Sequence, residues 1–179
     1  MTDIQTTLEN LTKKKITLIT LIGIFSIVLF LPSSYMIPVI GATPNDWNQN
    51  TFWYEPWGKS GVHKGIDIFA EKSTQVINPT AGIVLYTGEI ELGGKVIITL
   101  GPGWHLHYFA HLNEISIRTG DFLSQAEAIG SVGDTGNAMG KQAHLHYSLV
   151  TIFPHLWKID SSTQGWKKMF YLNPLEYLK

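Results

Sequence analysis

Beyond residue 60 the chain never runs far without a structure breaker. The segments "GIDIFA", "TQVINP", "AGIVLYTGEI", "GGKVIITLG", "WHLHYFAHL", "QAEAIGSVG" and "AHLHYSLVTI" are short and rich in Val, Ile, Tyr and Thr. Gly, Pro, Asn or Asp separates most of them. No long window in this region shows a helical period. The pattern predicts a mainly β, predominantly antiparallel domain. One short helical piece is expected at the end, where "NPLEYL" offers Asn173 as N-cap and Pro174 as the first helical residue.

Composition narrows the functional classes. The chain has 179 residues, enough for one domain with a sizeable core. A formal net charge of -1 gives no reason to expect a nucleic-acid partner. There are no cysteines, so a protein-bound metal needs His, Asp or Glu ligands.

The N-terminus speaks to location. Lys13, Lys14 and Lys15 precede "ITLITLIGIFSIVLFL", an uncharged apolar run from Ile16 to Leu31. As a helix that run covers roughly 24 Å, short of the ~30 Å hydrocarbon core. Extension through "SSYMIPVI", with a kink at Pro32 or Pro38, supplies the missing length. The expected plan is a cytoplasmic tail at 1–15, a transmembrane anchor or signal segment at 16–40, a linker or arm at 41–60 and the main domain at 61–179. A single-pass anchor is favoured over a cleaved signal peptide, because the leading polar region is long and contains acids, and no A-x-A site lies near the end of the apolar run. Either way the lysines stay inside, and the domain lies outside the cytoplasm. Within the arm, Trp53, Tyr54 and Trp57 are expected to pack on the domain.

The chemistry concentrates in histidines. "HLHY" occurs at 105–108 and again at 144–147. Residues i and i+2 of a strand point the same way, so either pair can offer one metal ligand and one neighbour facing a bound water. In straight strands, His105, His107, Phe109 and His111 share a face, and so do His144, His146 and Ser148. Spacing alone does not choose between the copies. A third segment, "HKGID", holds His63 and Asp67. In a straight strand these two lie roughly 13 Å apart, too far for one zinc ion. A helix is disfavoured by Gly65 and the following "IDIF". A bend at Gly65, using its access to positive φ, is the remaining solution.

Taken together, "GVHKGIDIFA", "YFAHL" and "IGSVGDTGNAMGKQAHLHYSL" resemble the signature segments of the lysostaphin-type (LytM) zinc metallopeptidases, which cut bacterial peptidoglycan peptides. The resemblance covers about residues 60 to 150, with the motifs in the family's order. It implies a compact antiparallel β domain with a groove over a zinc ion. It makes His63, Asp67 and His146 the zinc ligands, and His111 and His144 the catalytic histidines. In that scheme His144 takes the proton from a metal-activated water, while His111 orients the water or stabilises the oxyanion. The substrate would be peptidoglycan peptides. A non-catalytic domain of the same type, regulating another cell-wall hydrolase, is the alternative. Two positions depart from the family's usual pattern: Ser148 stands where an acid is usual, and Ala143 where proline is usual.

Other residues receive plainer expectations. His105 and His107 fall outside the five-residue set and are expected to line the groove or face solvent. His155 is expected at the surface or in a loop. Trp104 and Trp157 are weak groove candidates, and Lys158, Lys167 and Lys168 form a solvated face.

Overall fold

The computed structural model describes residues 2–30 and 35–179. Nine strands follow in order: β1 (Ile66–Phe69), β2 (Gln75–Ile77), β3 (Gly82–Ile90), β4 (Gly94–Gly101), β5 (His105–Ile115), β6 (Phe122–Leu123), β7 (Ala128–Val132), β8 (His144–Thr151) and β9 (Tyr171–Leu172). Every strand pairing is antiparallel, along the path β1-β8-β5-β4-β3-β6. β7 joins the far end of β5 and also pairs with β2, and β9 pairs with β8. After residue 60 the described helices are short 3-10 turns only. The last of them is Pro174–Glu176, where Asn173 accepts from the Leu175 backbone N–H at 3.2 Å.

Strand alternation sorts the two faces of the central sheet. Ile66 and Ile68 of β1, Leu145 and Tyr147 of β8 and Phe109 of β5 are fully buried in one apolar cluster with Val76, Ile97 and Leu112. Burying such side chains contributes about 1.5–3 kcal/mol each. The intervening residues, Asp67 on β1 and His144 and His146 on β8, therefore emerge on the opposite face.

β5 is not straight. Lys95 pairs with Leu112 while Ile97 pairs with Phe109, so β5 carries one extra residue at this point. His111 sits in it with φ 63, and its N–H donates to the Gly93 carbonyl at 2.8 Å. The expected shared face of His105, His107 and His111 is thus corrected. The bulge turns His111 to the His144/His146 side and leaves His107 on the core side.

Two corrections concern the N-terminal half. Helix α1 (Thr2–Phe30) contains most of the apolar run, but among the described residues no helix is long and apolar enough to cross a membrane. From Ile16 to Phe30 the helix covers only about 22 Å. Leu31, Pro32, Ser33 and Ser34 lie outside the described residues. The stretch meant to extend the span packs on the domain instead. Tyr35 and Val39 are buried, Ile77 N–H donates to the Pro38 carbonyl, and Ile40 N–H donates to that of Gln75. Residues 35–40 act as a structural strap beside β2. Trp47 also enters the core.

Candidate metal centre

Three neighbouring strands and one loop assemble the site. β8 lies between β1 and β5, with Asp67 directly opposite His146 on one side and Ala110 opposite His146 on the other. Directly opposed residues of an antiparallel pair share a face. The Asp67 carboxylate accordingly meets the His146 ring, with Nδ1 to Oδ1 at 2.8 Å. His63 enters from the loop before β1, placing its Nε2 3.1 Å from Asp67 Oδ1 and 3.0 Å from His146 Nδ1. The three ligand atoms form a compact triangle that suits one tetrahedral zinc ion, whose bonds to N and O are about 2.0–2.2 Å.

Gly65 makes the approach feasible, though not through positive φ as the sequence suggested. A Cβ there would stand 2.5 Å from the Tyr147 carbonyl, 2.6 Å from Ser148 Oγ and 3.0 Å from His146 Cε1. The residue must lack a side chain because β8 passes directly against it.

Each imidazole is oriented from behind. His63 Nδ1–H donates to the Thr51 carbonyl at 3.0 Å, with Thr51 Oγ1 at 2.7 Å, and the Trp57 ring stacks on the imidazole at 4.1 Å between centroids. That leaves the Nε2 lone pair for the centre. His146 faces the centre through Nδ1, so its Nε2–H donates to Ser148 Oγ at 3.0 Å. His144 Nδ1–H donates to the Gln142 carbonyl at 2.8 Å, and His111 Nδ1–H to that of Thr135 at 2.9 Å. A carbonyl can only accept, so in the neutral form each ring carries its proton on Nδ1 and turns its Nε2 lone pair to the site. Their centroids are 5.0 Å apart, and His144 Nε2 is 4.0 Å from Asp67 Oδ2.

The electrostatics suit a cation. Burial works to raise the Asp67 carboxyl, but the hydrogen-bonded imidazoles of His146 and His63 outweigh it and hold the group far below the usual carboxylate range. Burial, reinforced by His144 and His146, pushes His111 down to about 4, so it is neutral at neutral pH.

All five predicted site residues thus come together: His63, Asp67, His146, His144 and His111. His105 and His107 do not, and neither lines the groove. His107 is fully buried on the core side, within 2.7 Å of the Tyr147 hydroxyl, and Tyr35 Oη lies 2.6 Å from His105 Nδ1. Trp104 and Trp157 lie away from the site as well. Trp104 packs on Phe25 and Phe153 beyond the opposite end of β5, and Trp157 stacks on the loop residue His155. The tryptophan at the site is Trp57. Trp57 was expected only to pack on the domain, and its stacking on His63, like the roles of Thr51 and Thr135, was not legible in the sequence, because only folding brings these residues to the histidines.

Residues 61–156 match Peptidase family M23. The chain belongs to peptidase family M23. This M23 domain is 34% identical to the L-Ala--D-Glu endopeptidase of Bacillus subtilis over 113 residues, 58% of this chain and 35% of that protein. It is 30% identical to lysostaphin of Staphylococcus simulans over 89 residues, 49% of this chain and 18% of that protein. The chain spans about a third or less of the length of these curated relatives. Among solved structures, the catalytic domain of lysostaphin from Staphylococcus simulans superposes with a TM-score of 0.58 at 23% identity, covering 74% of this chain and 92% of that one. A chain of the SpoIIQ-SpoIIIAH pore forming complex gives 0.61 at 18%, covering 83% and 93%. Both likenesses show a shared fold. Relatives of this M23 domain are peptidoglycan endopeptidases, and the family implies a hydrolase acting on peptides.

Proposed function

We propose that the chain is a zinc-dependent endopeptidase that hydrolyses peptides of bacterial peptidoglycan. The observation that carries this reading is the convergence of His63 Nε2, Asp67 Oδ1 and His146 Nδ1 beside two further histidines whose Nε2 atoms are free to accept protons. Three protein ligands leave a coordination position open, as catalytic zinc sites require. Bound zinc would polarise the scissile carbonyl and lower the pKa of a water to about 7. The protein supplies the proton handling. His144 Nε2, on the Asp67 side of the site, takes the water's proton and passes it to the leaving amine. His111 Nε2, fixed by Thr135, accepts a second hydrogen bond and so orients the water. Trp57 covers His63 and keeps bulk water from that ligand.

The working location is the outer side of the cytoplasmic membrane, where peptidoglycan lies. α1 supports this assignment. Ile16, Ile19, Phe25 and Ile27 are exposed on it, behind the three lysines, as suits a segment that directs export or holds the chain at a lipid surface.

Purified peptidoglycan incubated with the full chain and zinc should release peptides identifiable by mass. Chelator and His146→Ala should each abolish release. If the wild type releases nothing with zinc bound, or His146→Ala releases the same peptides, the endopeptidase reading fails and the regulatory, non-catalytic role takes its place.

A further inference from the structure

Beside His63, the loop 58–64 meets the loop 160–169. Gln164 ties them together. Its Nε2–H donates to the Ser60 carbonyl at 2.9 Å, and its Oε1 accepts from Lys167 Nζ at 2.9 Å. The same Ser60 carbonyl accepts from Lys64 Nζ, also at 2.9 Å. Gly61 makes room for this amide, because a Cβ there would stand 2.6 Å from Gln164 Nε2. Two ammonium groups therefore flank one firmly held amide.

Neither lysine is neutralised. Among the described residues, Lys59, Lys72, Lys158 and Lys168 each have a carboxylate within ion-pair distance, and Lys64 and Lys167 have none. Lys64 uses two N–H bonds on the Ser60 and Val62 carbonyls, and Lys167 uses one on Gln164. An ammonium has three donors, so donors remain on both. Two partly buried like charges destabilise each other, and an anion between them would reverse the sign of that interaction.

We infer that Lys64, Gln164 and Lys167 form a carboxylate-binding subsite that selects peptides carrying a free acidic group close to the bond cut. The inference rests on the endopeptidase reading for its biological meaning, because Lys64 directly follows the candidate ligand His63 in the chain. Trp53 adds an apolar wall nearby. Its ring lies 6.1 Å from that of Tyr171, and its Nε1–H donates to the Thr163 carbonyl.

The test reads binding without hydrolysis. The metal-free full chain in a zwitterionic detergent is titrated by amide NMR with acetyl-Gly-Gly-Glu-Gly-Gly-amide and with its Gln counterpart. The Glu peptide should move the amides of 61–64 and 164–167 and bind at least about 5-fold more tightly than the Gln peptide. Lys64→Gln/Lys167→Gln should erase that preference, and Lys167→Gln alone should weaken it while leaving the thermal transition in place. Equal affinities for the two peptides, preference retained in the double variant, or an equal response to inorganic phosphate would each overturn the subsite. Loss of this preference leaves the hydrolytic reading standing, and failure to digest peptidoglycan leaves this binding result standing.

Discussion

Ser148 holds one atom of the centre in place. His146 offers Nδ1 to the ligand triangle only while Nε2–H has an acceptor, and Ser148 Oγ provides it. A hydroxyl donates less electron density through the ring than a carboxylate would. Ser148→Ala should therefore lower zinc affinity about 10- to 100-fold, and Ser148→Glu should raise it above wild type, both measured by competition with a chromogenic chelator. His107 lies on the other face and has a thermodynamic role instead. Burial, with a smaller push from His105, lowers its pKa to about 3, against 6.5 for the free side chain. The unfolded chain binds the proton first, so this residue's contribution is complete above about pH 6.5 and is lost as pH falls towards 3. Roughly 4 kcal/mol of stability goes by pH 3. Urea midpoints measured across that range should fall more steeply for wild type than for His107→Gln. At this scale the sequence was informative about which side chains could ligate and silent about which nitrogen does, because the second nitrogen's partner comes from elsewhere in the chain.

Among the elements, the β5 bulge decides whether the site is complete. A regular strand would keep His111 with His107, on the face opposite His146. One extra residue reverses it, and the cost is a non-glycine residue at φ 63. His111→Gly and His111→Ala should both abolish peptide release, yet the glycine variant should be more stable than the alanine variant by about 1 kcal/mol, by thermal denaturation. The converse holds at Gly65, where close packing excludes any side chain. Gly65→Ala forces β8 away, and about 2 kcal/mol or more of stability should be lost together with tight zinc binding. The alternation of β8 was readable from residues 144 to 149 alone. The bulge was not, since nothing in "HYFAHL" marks the residue that steps out of register. The Gly93 carbonyl and the pairing with β4 select it.

For the molecule as a whole, the strap before residue 60 belongs to the folding unit. Tyr35, Val39 and Trp47 bury their side chains, and Thr51 and Trp57 hold His63. A chain starting at Tyr35 should keep its cooperative melting transition. One starting at Gly61 should lose on the order of 5 kcal/mol and bind zinc weakly, by calorimetry and chelator competition. Short apolar runs between breakers already specified an antiparallel β domain, because periodicity is a local property. The ordered His and Asp motifs pointed to a family, and it was that resemblance, not spacing, that named five candidate site residues. The N-terminal plan needed the folded structure. An apolar stretch such as "YMIPVI" has the same composition whether lipid or a sheet covers it, and only the packing of Tyr35 and Val39 onto the domain distinguishes the two. The same holds for "HLHY": identical local sequence serves as core support at 105–108 and supplies two candidate site residues at 144–147, because of the two strands only β8 pairs with β1 and so meets Asp67.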